Sequence, residues 1–256
     1  VLSVDKKHLC HSICGYYGSE SIDAQEYLRR FIDLEFTLPQ SNIHSFCCYL
    51  FEYYSFSEFF DSIERPKRNQ IGSEAKTFTD ITITISKYSD LPLRSIDRLF
   101  SNARLALRMF PIFSNVRCDY LFVLIYLNVC HSELFEQICK RKYSIQNLID
   151  IIIEIFPQEL IEYSDTSHSF YLIIGMLIVG YNQNEYGADM TKLYTYNEST
   201  KEIKLNFDSK QLDKSELSRI IQFWDNRFDG CPSLDNYADK IHLLSTNIFR
   251  HILIGE

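Results

Sequence analysis

Read for the spacing of its apolar side chains, the chain is a succession of helical stripes interrupted by a few short extended stretches. Val1-Leu-Ser-Val-Asp5 reads as a strand that ends on a carboxylate. A polar, helical segment of roughly twenty residues follows, and a second extended stretch stops at Pro39. Strand, crossover, strand is the unit from which a parallel α/β sheet is built. Over 43–63, Phe46, Leu50, Phe51 and Tyr54 recur at helical spacing, with Ser41 or Asn42 placed as a cap. The polar stretch 64–72 reads as a surface loop. Helical periodicity returns over 73–89. Ile81-Thr-Ile-Thr-Ile85 alternates as a strand would, but nothing nearby in the sequence offers it a pairing partner, and a helix is the reading preferred.

The sharpest stripe is 93–110, framed by Pro92 and Pro111. Advancing about 100° per residue from Arg94 places Arg98, Arg104 and Arg108 within roughly 80° of it. Leu99, Phe100, Ala103, Leu107 and Phe110 gather on the far side. One face is arginine and the other is core, although Leu105 falls among the arginines, so part of that face is expected to be packed. Further helices are expected over 117–130, 132–142 and 144–155, the last with a plain serine cap, and a helix pair over 158–181. Residues 193–207 alternate around a polar centre and read as a small hairpin or an extended excursion. Asp213 with Glu216 starts a helix through Arg227, with Trp224 on its core side, and a last helix runs from 233 to 254. The fold class is therefore mainly α, with a short α/β piece of two strands at its start.

Composition fits that picture and narrows the chemistry. In 256 residues there are 17 Tyr and 19 Phe but 8 Gly and 6 Pro, a balance of ordered helical packing. The formal charge of −8 disfavours nucleic acid and anionic membrane as partners. The eight cysteines fall mostly within apolar helical patterns, as buried free thiols of a reducing compartment do. His8, Cys10, His11 and Cys14 crowd together, but no second pair with zinc spacing follows, and no metal site is expected. No signal peptide is read at the start. The longest apolar run, 170–181, falls short of the ~20 residues a membrane span needs, and is expected to be a buried core helix.

Val4-Asp5-Lys6, Tyr16-Tyr-Gly18, Ile22-Asp-Ala24, the run from Tyr27 to Phe36 and Leu38-Pro39 together resemble the KAP family of P-loop NTPases. Leu91-Pro-Leu-Arg-Ser-Ile-Asp-Arg-Leu-Phe100, followed by Arg104-Leu-Ala-Leu-Arg108, resembles the lid of the same family. The resemblance is dense over 1–40, good over 91–112 and thin afterwards. It implies that 1–40 ends a P-loop α/β core, that 41–112 is a helical lid, and that 113–256 is a helical carboxy-terminal extension. It also implies ATP and magnesium as cofactors, conformational switching on hydrolysis, homo-oligomerisation, and a cytoplasmic position sometimes beside the membrane. Bacterial members are often linked to exclusion of phage or plasmids, and animal members to signalling scaffolds.

P-loop hydrolysis requires a Gly-rich phosphate loop with a lysine and an acidic strand end for magnesium. The sequence holds no G-x-x-x-x-G-K-[ST]. By the resemblance, the phosphate-binding and metal-binding half lies upstream of Val1, and these residues alone are not expected to hydrolyse ATP. What remains would approach the nucleotide from the other side. Asp5 resembles the sensor position that orients the attacking water, or equally caps the helix that starts at Lys6. Arg29 and Arg30 stand where related ATPases carry an arginine for transferred phosphate charge, and one of them is expected to pair with Glu26 or face solvent. Arg94 matches the lid arginine that reaches the γ-phosphate, although related lids show Asn-Pro-Arg where this chain has Pro92-Leu93-Arg94. The alternative is a non-enzymatic helical module that binds a protein partner.

Overall fold

The computed structural model describes residues 6–18, 23–32, 42–62, 74–111, 114–156, 164–184, 187–188, 193–197, 202–208 and 212–245. It separates into two compact units, 1–41 and 42–256. In the first, α1 (Lys6–Tyr17) lies against α2 (Ala24–Arg29). The Asp23 carboxylate caps α2 by accepting the amides of Gln25 and Glu26 at 2.9 and 3.1 Å, which satisfies two of the amides a helix start leaves unpaired. Tyr17, Tyr27 and Phe31 make a chain of ring contacts beside it. The two strands expected at 1–5 and before Pro39 lie outside the described residues.

The second unit begins with α3 (Ile43–Tyr53) and α4 (Phe56–Asp61). A single helix was the expectation for 43–63, and the structure corrects it. Ser55 adopts φ 53°, a left-handed conformation that L-residues rarely take, and it breaks the helix there. Asn42, not Ser41, is the cap, accepting the Ser45 amide at 3.3 Å. Next come α5 (Glu74–Tyr88), α6 (Leu93–Arg108), α7 (Cys118–Cys130), α8 (Ser132–Cys139) and α9 (Ile145–Ile155). Residues 81–85 are helical, as preferred over a strand, and Ser144 caps α9 through the Asn147 amide at 3.2 Å. The loop expected at 64–72 lies outside the described residues.

Where a helix pair was expected over 158–181, the described part is one helix, α10 (Ser164–Asn182). Two short antiparallel pairs follow: β1 (Gln183–Asn184) with β2 (Gly187–Ala188), and β3 (Tyr194–Asn197) with β4 (Glu202–Leu205). The second pair is the hairpin read from the alternation. Asp213 caps α11 (Lys214–Phe228) by accepting the Glu216 amide at 2.7 Å, and α12 (Leu234–Ser245) closes the described chain. The mainly α reading therefore holds.

One apolar core runs from Cys47 to Ile241, so residues on both sides of position 112 share it. At its centre lie α7, buried on every side from Cys118 to Leu127, and α10, buried without a break from Phe170 to Tyr181. A phenylalanine hub locks α4, α5, α6 and α7 together. Phe56 stacks on Phe78 at 4.9 Å, and Phe100 meets Phe122 edge-on at 5.2 Å. Each such pair is worth about 0.5–1.5 kcal/mol beyond its buried area. The hub fixes α4 beside α6, which shapes the candidate site. Among the described residues no helix is long and apolar enough to cross a membrane.

Candidate functional site

Helix α6 carries the arginines singled out in the sequence. Its Ile96, Leu99, Phe100, Ala103, Ala106 and Leu107 are buried, so the opposite edge faces outward. Arg94, Arg98 and Arg108 are exposed, and Arg104 is half-buried. Neither Arg94 nor Arg98 forms an ion pair among the described residues. Asp97, one turn from Arg94, is instead taken by the Tyr54 hydroxyl, which donates to its Oδ1 at 2.9 Å. Burial and that contact push the Tyr54 hydroxyl up to about 12. The end of α3 thus pins the first turn of α6 and leaves the Arg94 guanidinium without an ion-pair partner among the described residues.

Further along the same helix, Arg104 and Arg108 border an open cavity of about 380 Å³, lined also by Glu58 and Phe59 of α4 and by Phe110, Ser114 and Val116. The Arg104 guanidinium carbon lies 6.0 Å from the centre of the Phe59 ring, within cation–π range. Burial, and then repulsion from Arg108, lowers the pKa of Arg104, with Glu58 acting the other way. The partial burial expected on this edge from Leu105 is therefore seen, and Arg104 shares it.

In the first unit, Arg29 and Arg30 stand at the end of α2. Arg29 reaches Glu26 at 3.4 Å with both side chains largely exposed, so it is the member of the pair that the acid holds. Such an exposed pair contributes little to stability. Arg30 is exposed and forms no ion pair among the described residues. Asp5 lies outside the described residues. Of the expected site residues, the structure brings together only Arg29 and Arg30, by sequence adjacency; Arg94 belongs to the second unit.

Two polar constructions escaped the sequence reading. Arg117, buried ahead of α7, forks onto Asp119, with its Nε 3.1 Å from Oδ1 and a closer Nη2 contact to Oδ2, while Glu74 lies 3.9 Å away. Burial alone would lower the Arg117 pKa, but the Asp119 and Glu74 charges outweigh it and hold it above its ordinary value. The same guanidinium lies 5.1 Å over the Trp224 ring, and Tyr237 accepts the Arg117 amide at 2.7 Å. Arg141, at φ 51°, donates to the carbonyls of Tyr181 and Gln183 and so caps the end of α10. The Arg-x-Asp spacing just before a helix was the one available signal for the first. Both constructions stitch distant parts of the second unit together.

All eight cysteines are free, with Cys47 and Cys118 buried and the others partly so. Among the described residues no group of three His, Cys, Asp or Glu side chains is placed to hold a metal ion. Comparison with family models, with curated proteins and with solved structures finds no match to this chain.

Proposed function

We propose that the chain is the carboxy-terminal, lid-bearing part of a KAP-type P-loop ATPase, in which ATP binding and magnesium-dependent hydrolysis drive conformational switching. The observation that carries this reading is Arg94. It sits in the first turn of an amphipathic helix whose inner face is locked into the core, exposed and without an ion pair among the described residues. A guanidinium held on a rigid element and left unneutralised suits a lid that meets charge developing on a transferred phosphoryl group. Arg30 is a second exposed guanidinium of this kind, and Arg29, held by Glu26, is a weaker third. Asp5 keeps the role of orienting the attacking water.

These residues fit only one side of a nucleotide. The phosphate loop has no counterpart in the 256 residues, which alone are expected not to hydrolyse ATP. The test is to extend the reading frame upstream of Val1 and assay magnesium-dependent hydrolysis with Arg29, Arg30 and Arg94 each changed to alanine. A G-x-x-x-x-G-K-[ST] loop, with turnover lowered by at least one change while ATP still binds, is the expected result. A frame without that loop, or hydrolysis indifferent to all three changes, refutes the reading.

One observation favours the alternative of a helical protein-interaction module. On α3, Tyr49 and Tyr53 are 56% and 63% exposed and stack at 5.6 Å, with Phe46 stacked on Tyr49 at 6.3 Å. An exposed aromatic ridge is the kind of surface enriched at protein interfaces. The same assay separates the two, because this module needs no hydrolysis.

A further inference from the structure

The cavity under the second half of α6 holds more donor capacity than its own acceptors use. Arg104 and Arg108 are one turn apart, so both side chains border the same hollow. The Arg104 Nε is enclosed and donates to nothing among the described residues. Among the described residues Glu58 is the one carboxylate in the lining, and it forms no ion pair with either arginine. A buried charged donor left unmet is costly, and the half-buried Arg104 side chain that carries it borders the cavity.

We propose that this cavity binds a small phosphate ester, with its phosphate oxygens on Arg104 and Arg108 and its apolar body against Phe59, Phe110 and Val116. A planar carboxylate is satisfied by one guanidinium fork, whereas a tetrahedral phosphate has oxygens for two. Ser62 and Ser114 add hydroxyls to the lining. At about 380 Å³ the space falls within the range of small-ligand pockets. Arg104 lies ten residues beyond Arg94, about 15 Å along the helix. The site is therefore distinct from the end of α6 assigned to the nucleotide, and it does not rest on the ATPase reading.

The test is calorimetric titration of the full chain with phenyl phosphate at low ionic strength, with inorganic phosphate and benzyl alcohol as separate probes. Saturable one-to-one binding of phenyl phosphate is expected, each half-probe being at least about 10-fold weaker. Arg104→Gln and Arg108→Gln should each weaken binding by about 10- to 100-fold. Glu58→Gln, which removes the competing carboxylate, should tighten it about 3- to 10-fold, and Arg98→Ala, outside the lining, should leave it unchanged. No saturation, arginine variants that bind like the parent, or inorganic phosphate binding as well as the ester would each overturn the site. Should Arg104→Gln lose its helical circular dichroism, exposed Arg108 and Glu58→Gln still decide: failure of Glu58→Gln to tighten binding also overturns it.

Discussion

Gly180 tests how tightly the two central helices are packed, because its substitution by alanine sets two opposite effects against each other. In a helix interior, Gly→Ala is worth about 1 kcal/mol in favour of the fold. In this helix, however, an added Cβ would stand 2.4 Å from the Tyr120 Cζ and 2.6 Å from its Cε2 and hydroxyl oxygen. The ring has nowhere to retreat. Tyr120 is fully buried, with Phe228 and Tyr237 each edge-on at 5.1 Å. Overpacking of this kind costs about 1–3 kcal/mol, and three ring atoms inside contact distance argue for the upper end. The net loss is then about 2 kcal/mol, or roughly 4–8 °C in Tm for a domain of this size. The assay is thermal and urea unfolding followed by the fluorescence of Trp224, the single tryptophan, which is buried in the same unit. A Tm that holds or rises in Gly180→Ala would show that α7 and α10 are looser than described, and the packing argument would fail.

Other expectations follow from the same interior. Tyr120→Phe removes a buried hydroxyl that has no hydrogen-bond partner among the described residues, so stability should hold or rise by up to about 1–2 kcal/mol, and it should partly rescue Gly180→Ala in a double-mutant cycle; a loss above that size in urea unfolding contradicts it. Asp119→Asn strips the buried Arg117 of its main counter-charge and should cost about 3–5 kcal/mol, whereas the paired change Arg117→Met with Asp119→Leu should cost less than either alone. Burial lowers the His131 pKa, and its Nε2 lies 3.2 Å from the Tyr126 hydroxyl. The unfolded chain therefore takes up this proton first, so stability should fall as pH drops through about 6.5, and that part of the dependence should vanish in His131→Gln. An unchanged pH profile in the variant counts against the assignment.

The helices were legible where one face alone is buried. The arginine edge and apolar face of α6, the Ser144 and Asp213 caps and the β3–β4 hairpin all follow from spacing and local chemistry. Local chemistry also left the break at Ser55 invisible, since nothing in Tyr54-Ser55-Phe56 demands a left-handed residue. The cavity was half-visible: Arg104 and Arg108 are on one helical edge in sequence, but Glu58 and Phe59 reach them only because the phenylalanine hub holds α4 against α6. Arg141 is unreadable for the same reason, because Tyr181 and Gln183 lie far along the chain, whereas Arg117 left the Arg-x-Asp signal and hid only its contacts with Glu74 and Trp224. Between Gly175 and Gly180 the sequence shows only spacing, and the helices pressed on those two residues emerge from tertiary packing.

The ATPase reading meets its most direct test in one comparison on α6. In the protein extended upstream, the rate of magnesium-dependent ATP hydrolysis would be measured for Arg94→Ala and for Arg98→Ala, two exposed arginines one turn apart. The account expects Arg94→Ala to lower kcat by about 10²–10³, the loss typical of removing one donor to a developing oxyanion, while Arg98→Ala stays within about 2-fold of the parent. Equal effects of the two changes, or none from either, would contradict it.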